Sequence, residues 1–175
     1  MSTPKYKRVV ISEQELQTRI SELGAQIAKD YEGEELVLVS VLNGSMYFIA
    51  DLTRAINLPI EIDFISIGVY PNSTQETGAV RITKDLDIDI SGKHVLIIED
   101  IIRTGLTIGY IVQNFEARKP KSVKVATLLI NHDQQIIDGP IAYEGFRVTN
   151  TWLMGYGMDI DEKWRNLPYI VEVDR

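Results

Sequence analysis

Apolar residues recur along this chain in two different rhythms. Leu16, Ile20, Leu23, Ile27 and Tyr31 follow helical spacing, so an amphipathic helix is expected over residues 13–31. Ser12-Glu13-Gln14-Glu15 reads as its capping box, with Ser12 as N-cap and Glu15 three positions on, and Gly33 ends it. Leu36–Val41 and Val95–Ile98 are instead near-continuous apolar runs, the pattern of strands buried on both faces of a parallel sheet, and Val123–Ile130 reads as the next buried strand. Ile60–Ser66 alternates and reads as a further strand, with Val80–Ile82 and Lys84-Asp85-Leu86 as a return arm. Tyr47, Phe48, Leu52 and Ile56 mark one intervening helix, and Ile108, Ile111, Val112 and Phe115 another. Strands alternating with helices predict an α/β fold, a parallel twisted sheet flanked by helices on both faces. Ligands of such sheets sit at the carboxyl ends of the strands, where Leu42–Ser45, Glu99–Thr107 and Asn131 would converge.

Beyond Ile130 the rhythm is lost. Asp138-Gly139-Pro140, Gly145, Gly155 and Gly157 are turn signals, and no further long helix is expected. Residues 131–175, with the N-terminal segment, are therefore read as a small irregular hood of short strands over a core of about residues 8–130, all within one domain spanning 1–175.

The formal net charge of -7 argues against a broad nucleic-acid or anionic-membrane surface, while leaving room for a phosphorylated small molecule held by backbone amides. The absence of cysteine excludes disulfides, thiolate catalysis and Cys-based zinc. No apolar run approaches the roughly 20 residues of a membrane span. Met1–Arg8 is polar and basic with no apolar core after it, so no signal peptide is read there and a cytoplasmic location is expected. His94 and His132 show no metal-ligand spacing, and no Ser/His/Asp arrangement is apparent.

Candidate chemistry concentrates between Lys93 and Ile108. The apolar run stops at Glu99-Asp100, and Thr104-Gly105-Leu106-Thr107 then opens a helix. Amides and hydroxyls at such a turn can hold a phosphate. Adjacent carboxylates can hold ribose hydroxyls and a hard cation such as Mg²⁺. Taken singly, Asp and Thr in these positions also simply cap the next helix, and that reading stays open beside the first. Leu42-Asn43-Gly44-Ser45 is similarly either a plain strand-to-helix turn or a place where Gly44 lets a ligand approach the backbone. Residues 68–78 read as a mobile surface loop, and Trp152 and Tyr156 by themselves as core residues.

In sequence order, four apolar residues, Glu-Asp, two apolar residues, one residue of any type and Thr-Gly-x-Thr resemble the phosphoribosyl diphosphate (PRPP) motif of type I phosphoribosyltransferases. Glu99-Asp-Ile-Ile-x-Thr-Gly-x-Thr107 is similar to the hypoxanthine-guanine branch of that family, and the motifs run in order from about residue 8 to about residue 172. The resemblance implies a type I phosphoribosyltransferase fold, Rossmann-like with a small hood subdomain. It implies Mg²⁺-dependent transfer of phosphoribosyl from PRPP to a 6-oxopurine (hypoxanthine, guanine or, as a further case, xanthine), giving an IMP- or GMP-type nucleotide and pyrophosphate. Carried onto this sequence, Glu99 and Asp100 grip the ribose and the metal, and Arg103, Thr104, Gly105, Leu106 and Thr107 surround the 5′-phosphate. Leu42, Asn43 and Gly44, with a cis Leu42–Asn43 peptide, hold pyrophosphate together with Arg165. Ile102, Asn131, Trp152, Leu153 and Asp159 form the purine side, Trp152 stacking on the base and Asp159 also supporting the metal. Tyr70, on the loop at 68–78, belongs to the closing lid and joins Glu99, Asp100 and Arg103 in the catalytic set. A homodimer or homotetramer is likewise implied.

The match departs from the family at the base. Arg103 stands where the branch carries an aspartate that acts as acid/base near purine N7, and Asn131 where it carries a lysine. Arginine stays protonated and has no acceptor, so it cannot take a proton from the ring. Three outcomes are open: slow use of hypoxanthine or guanine, a base with more acceptor or anionic character such as xanthine, or a nucleotide-binding paralogue without turnover. A phospho-accepting receiver domain is disfavoured, because Leu36–Val41 ends in Leu-Asn-Gly rather than in an acidic pair.

Overall fold

Every continuous apolar run becomes a strand covered on both sides. The computed structural model describes residues 5–70, 79–136, 139–149 and 151–174, with only the backbone at residues 69, 70, 79 and 80. In chain order the elements are β1 (Arg8–Ile11), α1 (Glu13–Asp30), β2 (Leu36–Leu42), α2 (Met46–Ala55), β3 (Glu61–Tyr70), β4 (Ala79–Lys84), β5 (His94–Ile102), α3 (Leu106–Glu116), β6 (Ser122–Ile130), a 3₁₀ turn (His132–Gln134), β7 (Ile141–Arg147), β8 (Trp152–Met154) and β9 (Ile170–Val173). Among the described residues no helix is long and apolar enough to cross a membrane.

The main sheet has the order β4-β3-β2-β5-β6-β7, parallel except for β4 against β3. Leu36, Leu38, Leu96, Ile98 and Leu128 turn to one face and pack with Leu16, Ile20, Leu23 and Ile27 of α1 and Phe48 and Leu52 of α2. Val37, Val39, Val95, Ile97 and Val125 turn to the other, against Ile108, Ile111 and Phe115 of α3. Burial on two faces is why these strands carry no polar alternation. The capping box of α1 is present: Ser12 Oγ accepts from Glu15 N at 3.3 Å and Glu15 Oε2 accepts from Ser12 N at 2.8 Å.

Connections from β2 run to one side of the sheet and those from β5 to the other. The crevice between their carboxyl ends is thus a switch point of the topology, the place where open α/β sheets bind ligands. β5 does not stop at the acidic pair, as the apolar pattern suggested, but continues to Ile102. Its ladder with β2 ends at Ser40↔Ile98, whereas β6 goes on pairing through Glu99↔Thr127 to Ile102↔Ile130. Glu99 and Asp100 therefore lie on a strand that has lost one neighbour, facing the opened crevice.

Two further boundaries differ from the sequence pattern. β3 extends through Gly68–Tyr70, pairing with Ala79–Arg81, so only residues 71–78 of the expected loop remain, and these lie outside the described residues. The segment 131–175 is not all hood. β7 joins the main sheet beside β6, from Val125↔Ile141 to Ile130↔Arg147. It is fastened to α1 as well: Tyr143 Oη donates to Asp30 Oδ2 at 2.8 Å, and Arg19 donates to the carbonyls of Glu144 and Gly145 at 2.7 and 3.1 Å. The hood is the antiparallel sheet β1-β9-β8 with the turns between β8 and β9.

Candidate active site

The β2–α2 loop is fixed from within. The Leu42–Asn43 peptide is cis, and Met46 N donates to Asn43 O at 3.2 Å. Buried Ser45 donates to Val41 O at 2.5 Å and meets Ser40 Oγ at 2.7 Å. Gly44 is the contact point. A Cβ built there would fall 1.7 Å from Asp100 Oδ2, and a Cβ on Gly157 (φ +102) would fall 1.8 Å from Gly44 O. Only glycine at both positions lets the loop, the acidic pair and the hood meet.

Across the crevice, Glu99 is 9% exposed. Burial first, and then the neighbouring Asp100 charge, push its carboxyl well above the usual carboxylate range. Its Oε1 accepts only a long bond, 3.3 Å, from Asp100 N, while Asp100 Oδ1 accepts from Ile101 N at 2.7 Å. Hard oxygen donors in this crowded state suit a divalent cation, which would make both negative charges favourable. Among the described residues no three His, Asp or Glu side chains gather into a ready metal cage. Glu99 and Asp100 are the two carboxylates that could hold such a cation; Mg²⁺ commonly takes one or two and fills its remaining positions with water and substrate phosphates.

After Ile102 the chain turns into α3 with Gly105 as N-cap at φ 79, a residue with no side chain to cap the helix. The amides after Leu106 and the positive end of the helix dipole can face an anion. Thr104 Oγ1 accepts from Leu106 N at 3.4 Å, while the Leu106 side chain is exposed and offers the site only its backbone. A cavity of about 300 Å³ opens here, lined by Leu42, Glu99, Arg103, Thr104, Gly105 and Thr107 among others. Four of the five predicted 5′-phosphate residues (Arg103, Thr104, Gly105 and Thr107, without Leu106) and one carboxylate thus share one hollow with the first residue of the pyrophosphate loop.

The base side is arranged differently from the expectation. Arg103 points at the hood: Nη2 donates to Thr151 O at 3.2 Å, and the guanidinium lies 5.9 Å from the centre of the half-exposed Trp152 ring. Asn131 is wholly buried and engaged locally, Oδ1 accepting from Asp133 N at 3.1 Å and Nδ2 donating to Gln134 Oε1 at 3.2 Å. It caps the 3₁₀ turn and is not among the residues that line the cavity. Ile102 lines the cavity, and Leu153 is buried within β8. Asp159 is not grouped with Glu99 and Asp100; its Oδ1 pairs with Arg165 Nη2 at 2.8 Å and its Oδ2 accepts from Glu162 N at 2.8 Å. Arg165 also donates to Gly157 O at 2.8 Å, which sets it behind the Gly157–Gly44 contact. The Tyr70 side chain lies outside the described residues.

Several participants were not legible beforehand. The Thr151 carbonyl, and Val41, Ile67 and Ile101 in the cavity wall, carry no motif. Tyr156 was read as core, and it is buried, but its hydroxyl donates to Asp51. The two histidines are structural: His94 Nδ1 meets Ser122 Oγ at 2.6 Å, and His132 Nε2 lies 3.2 Å from Glu144 Oε2.

A phosphoribosyl transferase domain family matches residues 11–161. The hypoxanthine-guanine phosphoribosyltransferase of Mycobacterium tuberculosis is 42% identical over 174 residues, covering 96% of this chain and 86% of the relative. That of Bacillus subtilis is 43% identical over 164 residues, covering 94% and 91%. Among solved structures, a hypoxanthine-guanine phosphoribosyltransferase from Bacillus anthracis, with a HEPES molecule in its active site, superposes with a TM-score of 0.92 at 44% identity, over 97% of this chain and 100% of the other.

Proposed function

The chain belongs to the phosphoribosyltransferase family, in its hypoxanthine-guanine branch, and from that premise we propose that it transfers phosphoribosyl from PRPP to a 6-oxopurine in purine salvage, releasing pyrophosphate. The observation that carries this reading is the hollow between β2 and β5. There the start of α3 at Gly105, the buried carboxylate of Glu99 and Leu42 of the β2–α2 loop line one space that suits a sugar phosphate.

In this reading Thr104–Thr107 hold the 5′-phosphate, Glu99 and Asp100 take the ribose diol and the cation, and Leu42–Gly44 with Arg165 hold the pyrophosphate. Mg²⁺, when bound, supplies positive charge that neutralises the departing pyrophosphate. The C1′–O bond to pyrophosphate breaks as the bond from C1′ to the purine nitrogen forms, through an oxocarbenium-like state. Carboxylates on the ribose side stabilise that developing positive charge. Trp152 offers its half-exposed ring to the base, and Asp159 acts through its pair with Arg165. Tyr70 belongs to the closing loop. Cytoplasmic location and assembly as a homodimer or homotetramer are part of the same proposal.

The purine must also lose a ring proton, and Arg103 cannot accept it. Its position against Trp152 favours a base that presents acceptors or negative charge, which keeps xanthine beside hypoxanthine and guanine. The same arrangement, with Asn131 engaged in its own turn, favours a second reading, a nucleotide-binding paralogue with little or no turnover. Pyrophosphate release measured with PRPP, Mg²⁺ and each of hypoxanthine, guanine, xanthine and adenine decides between them. Release with any 6-oxopurine supports the transferase. Tight binding of purine monophosphates with no release for any base sinks it in favour of the paralogue.

A further inference from the structure

The hood reaches the pyrophosphate loop through three consecutive residues of positive φ, Gly155 (103°), Tyr156 (49°) and Gly157 (102°). Tyr156 N donates to Leu167 O at 2.8 Å and Gly157 N to Arg165 O at 2.9 Å, while Arg165 Nη1 returns a bond to Gly157 O at 2.8 Å. Gly157 and Arg165 therefore move as one piece. A phenol joins that piece to the core: Tyr156 is buried, and its Oη donates to Asp51 Oδ2 at 2.5 Å, with Tyr47 O farther off at 3.5 Å.

Asp51 lies on α2, the helix that starts directly after the Leu42–Ser45 loop, so the strut's foot and the loop it faces belong to one rigid unit. The carboxylate is itself held from two further sides, and the phenol packs against a second ring. Gln17 Nε2 of α1 donates to Oδ2 at 3.0 Å, Arg54 Nη1 lies 3.3 Å from Oδ1, and the Tyr47 ring stands 6.1 Å from the Tyr156 ring at a tilt of 39°. Packing alone would be served by phenylalanine. A buried hydroxyl aimed at a fixed carboxylate adds direction, because a hydrogen bond constrains distance and angle where apolar contact does not. A non-glycine residue at positive φ is disfavoured, so the hydroxyl's placement also opposes a local conformational cost.

We propose that Tyr156 and Asp51 are positioning residues: their hydrogen bond sets Gly157 and Arg165 against Gly44, and thereby sets the affinity for the pyrophosphate end of the substrate. Neither residue touches that substrate. The inference rests on the reading of Leu42–Gly44 and Arg165 as the pyrophosphate subsite.

The test uses the full chain with Tyr156→Phe, Asp51→Asn and Asp51→Leu. Binding of PRPP with Mg²⁺, of inorganic pyrophosphate and of ribose 5-phosphate is measured by calorimetry, and KM for PRPP and for the base by pyrophosphate release. Tyr156→Phe and Asp51→Leu are expected to weaken PRPP and pyrophosphate roughly tenfold, the scale of one charge-assisted hydrogen bond. Ribose 5-phosphate binding and the KM of the base should stay within about twofold, since those contacts lie elsewhere. Asp51→Asn keeps an acceptor oxygen and should stay close to the unmodified protein. Undiminished PRPP affinity in both Tyr156→Phe and Asp51→Leu overturns the strut, as does an equal loss for ribose 5-phosphate. If the unmodified protein binds ribose 5-phosphate as tightly as PRPP, the pyrophosphate subsite itself is wrong, a result separate from either. Should Tyr156→Phe fail to fold, the Asp51 pair gives the same comparison.

Discussion

Replacing Arg103 by aspartate tests the base site directly. The substitution removes one charge-assisted hydrogen bond to Thr151 O and the cation–π contact with Trp152. The first is part-buried and the second half-exposed, so together they anchor the hood by about 1–2 kcal/mol. In exchange the site gains a carboxylate just past the end of β5, on the cavity wall, that can accept a ring proton. A positioned general base contributes about 10²–10⁴ in rate, equivalent to roughly 3–5 kcal/mol of barrier. The gain exceeds the loss, so pyrophosphate release with hypoxanthine or guanine should rise at least about tenfold in Arg103→Asp at saturating PRPP and Mg²⁺. Arg103→Ala is the necessary partner, because it clears the face of Trp152 without supplying a base. It should rise much less. If Arg103→Asp is no faster than Arg103→Ala, proton removal does not limit the reaction and the argument about Arg103 fails.

Other consequences follow from groups around the crevice. Gly157→Ala places a methyl where Gly44 O stands, at a φ that disfavours side chains; PRPP KM should rise about tenfold or more, and an unchanged KM would show the contact to be dispensable. Glu99 has its carboxyl raised by burial, so ionising it costs the empty protein stability as pH rises past the ordinary carboxylate range. Glu99→Gln should therefore melt higher than the unmodified protein at neutral pH without ligands, yet lose most of its stabilisation by Mg²⁺ and PRPP; scanning both proteins in both conditions checks it. Asp63 is the opposite case: burial opposes its charge, but the amides of Ile88, Phe64 and Asp87, with Lys84, outweigh it and hold its carboxyl below the ordinary value. Its contribution is present above the unfolded carboxylate pKa and disappears as pH falls through the lower folded value. Asp63→Asn should thus cost about 2–3 kcal/mol at pH 7 and flatten the acid limb of a denaturation series, and an identical acid limb would refute the assignment.

How far such a site can be read from sequence depends on whether its parts are periodic, contiguous or assembled in space. The strands β2, β5 and β6 were legible because burial on two faces leaves each a stretch of mostly apolar residues. β7 was not, because Gly145 and the charged Glu144 and Arg147 interrupt its apolar positions, and its place in the sheet is set by pairing with β6 and by Arg19 and Asp30 of α1. The Glu99–Thr107 apparatus is contiguous, so strand, acids and helix start could be recognised together. The end of β5 could not, since it depends on β2 ceasing to pair while β6 continues. The base side shows the limit most clearly. That Arg103 lacks an acceptor follows from its chemistry alone, but its direction toward Thr151 and Trp152 depends on a hood strand some fifty residues away. Asn131 looked like a donor at a strand end, whereas the adjacent Asp133 amide and Gln134 side chain satisfy it first, as short polar side chains commonly are at turns. A substitution that seems only to weaken a ligand contact can thus withdraw the residue from the ligand altogether. A longer donor placed at position 131 would therefore have to displace the local turn at residues 131–134 before it could reach the base.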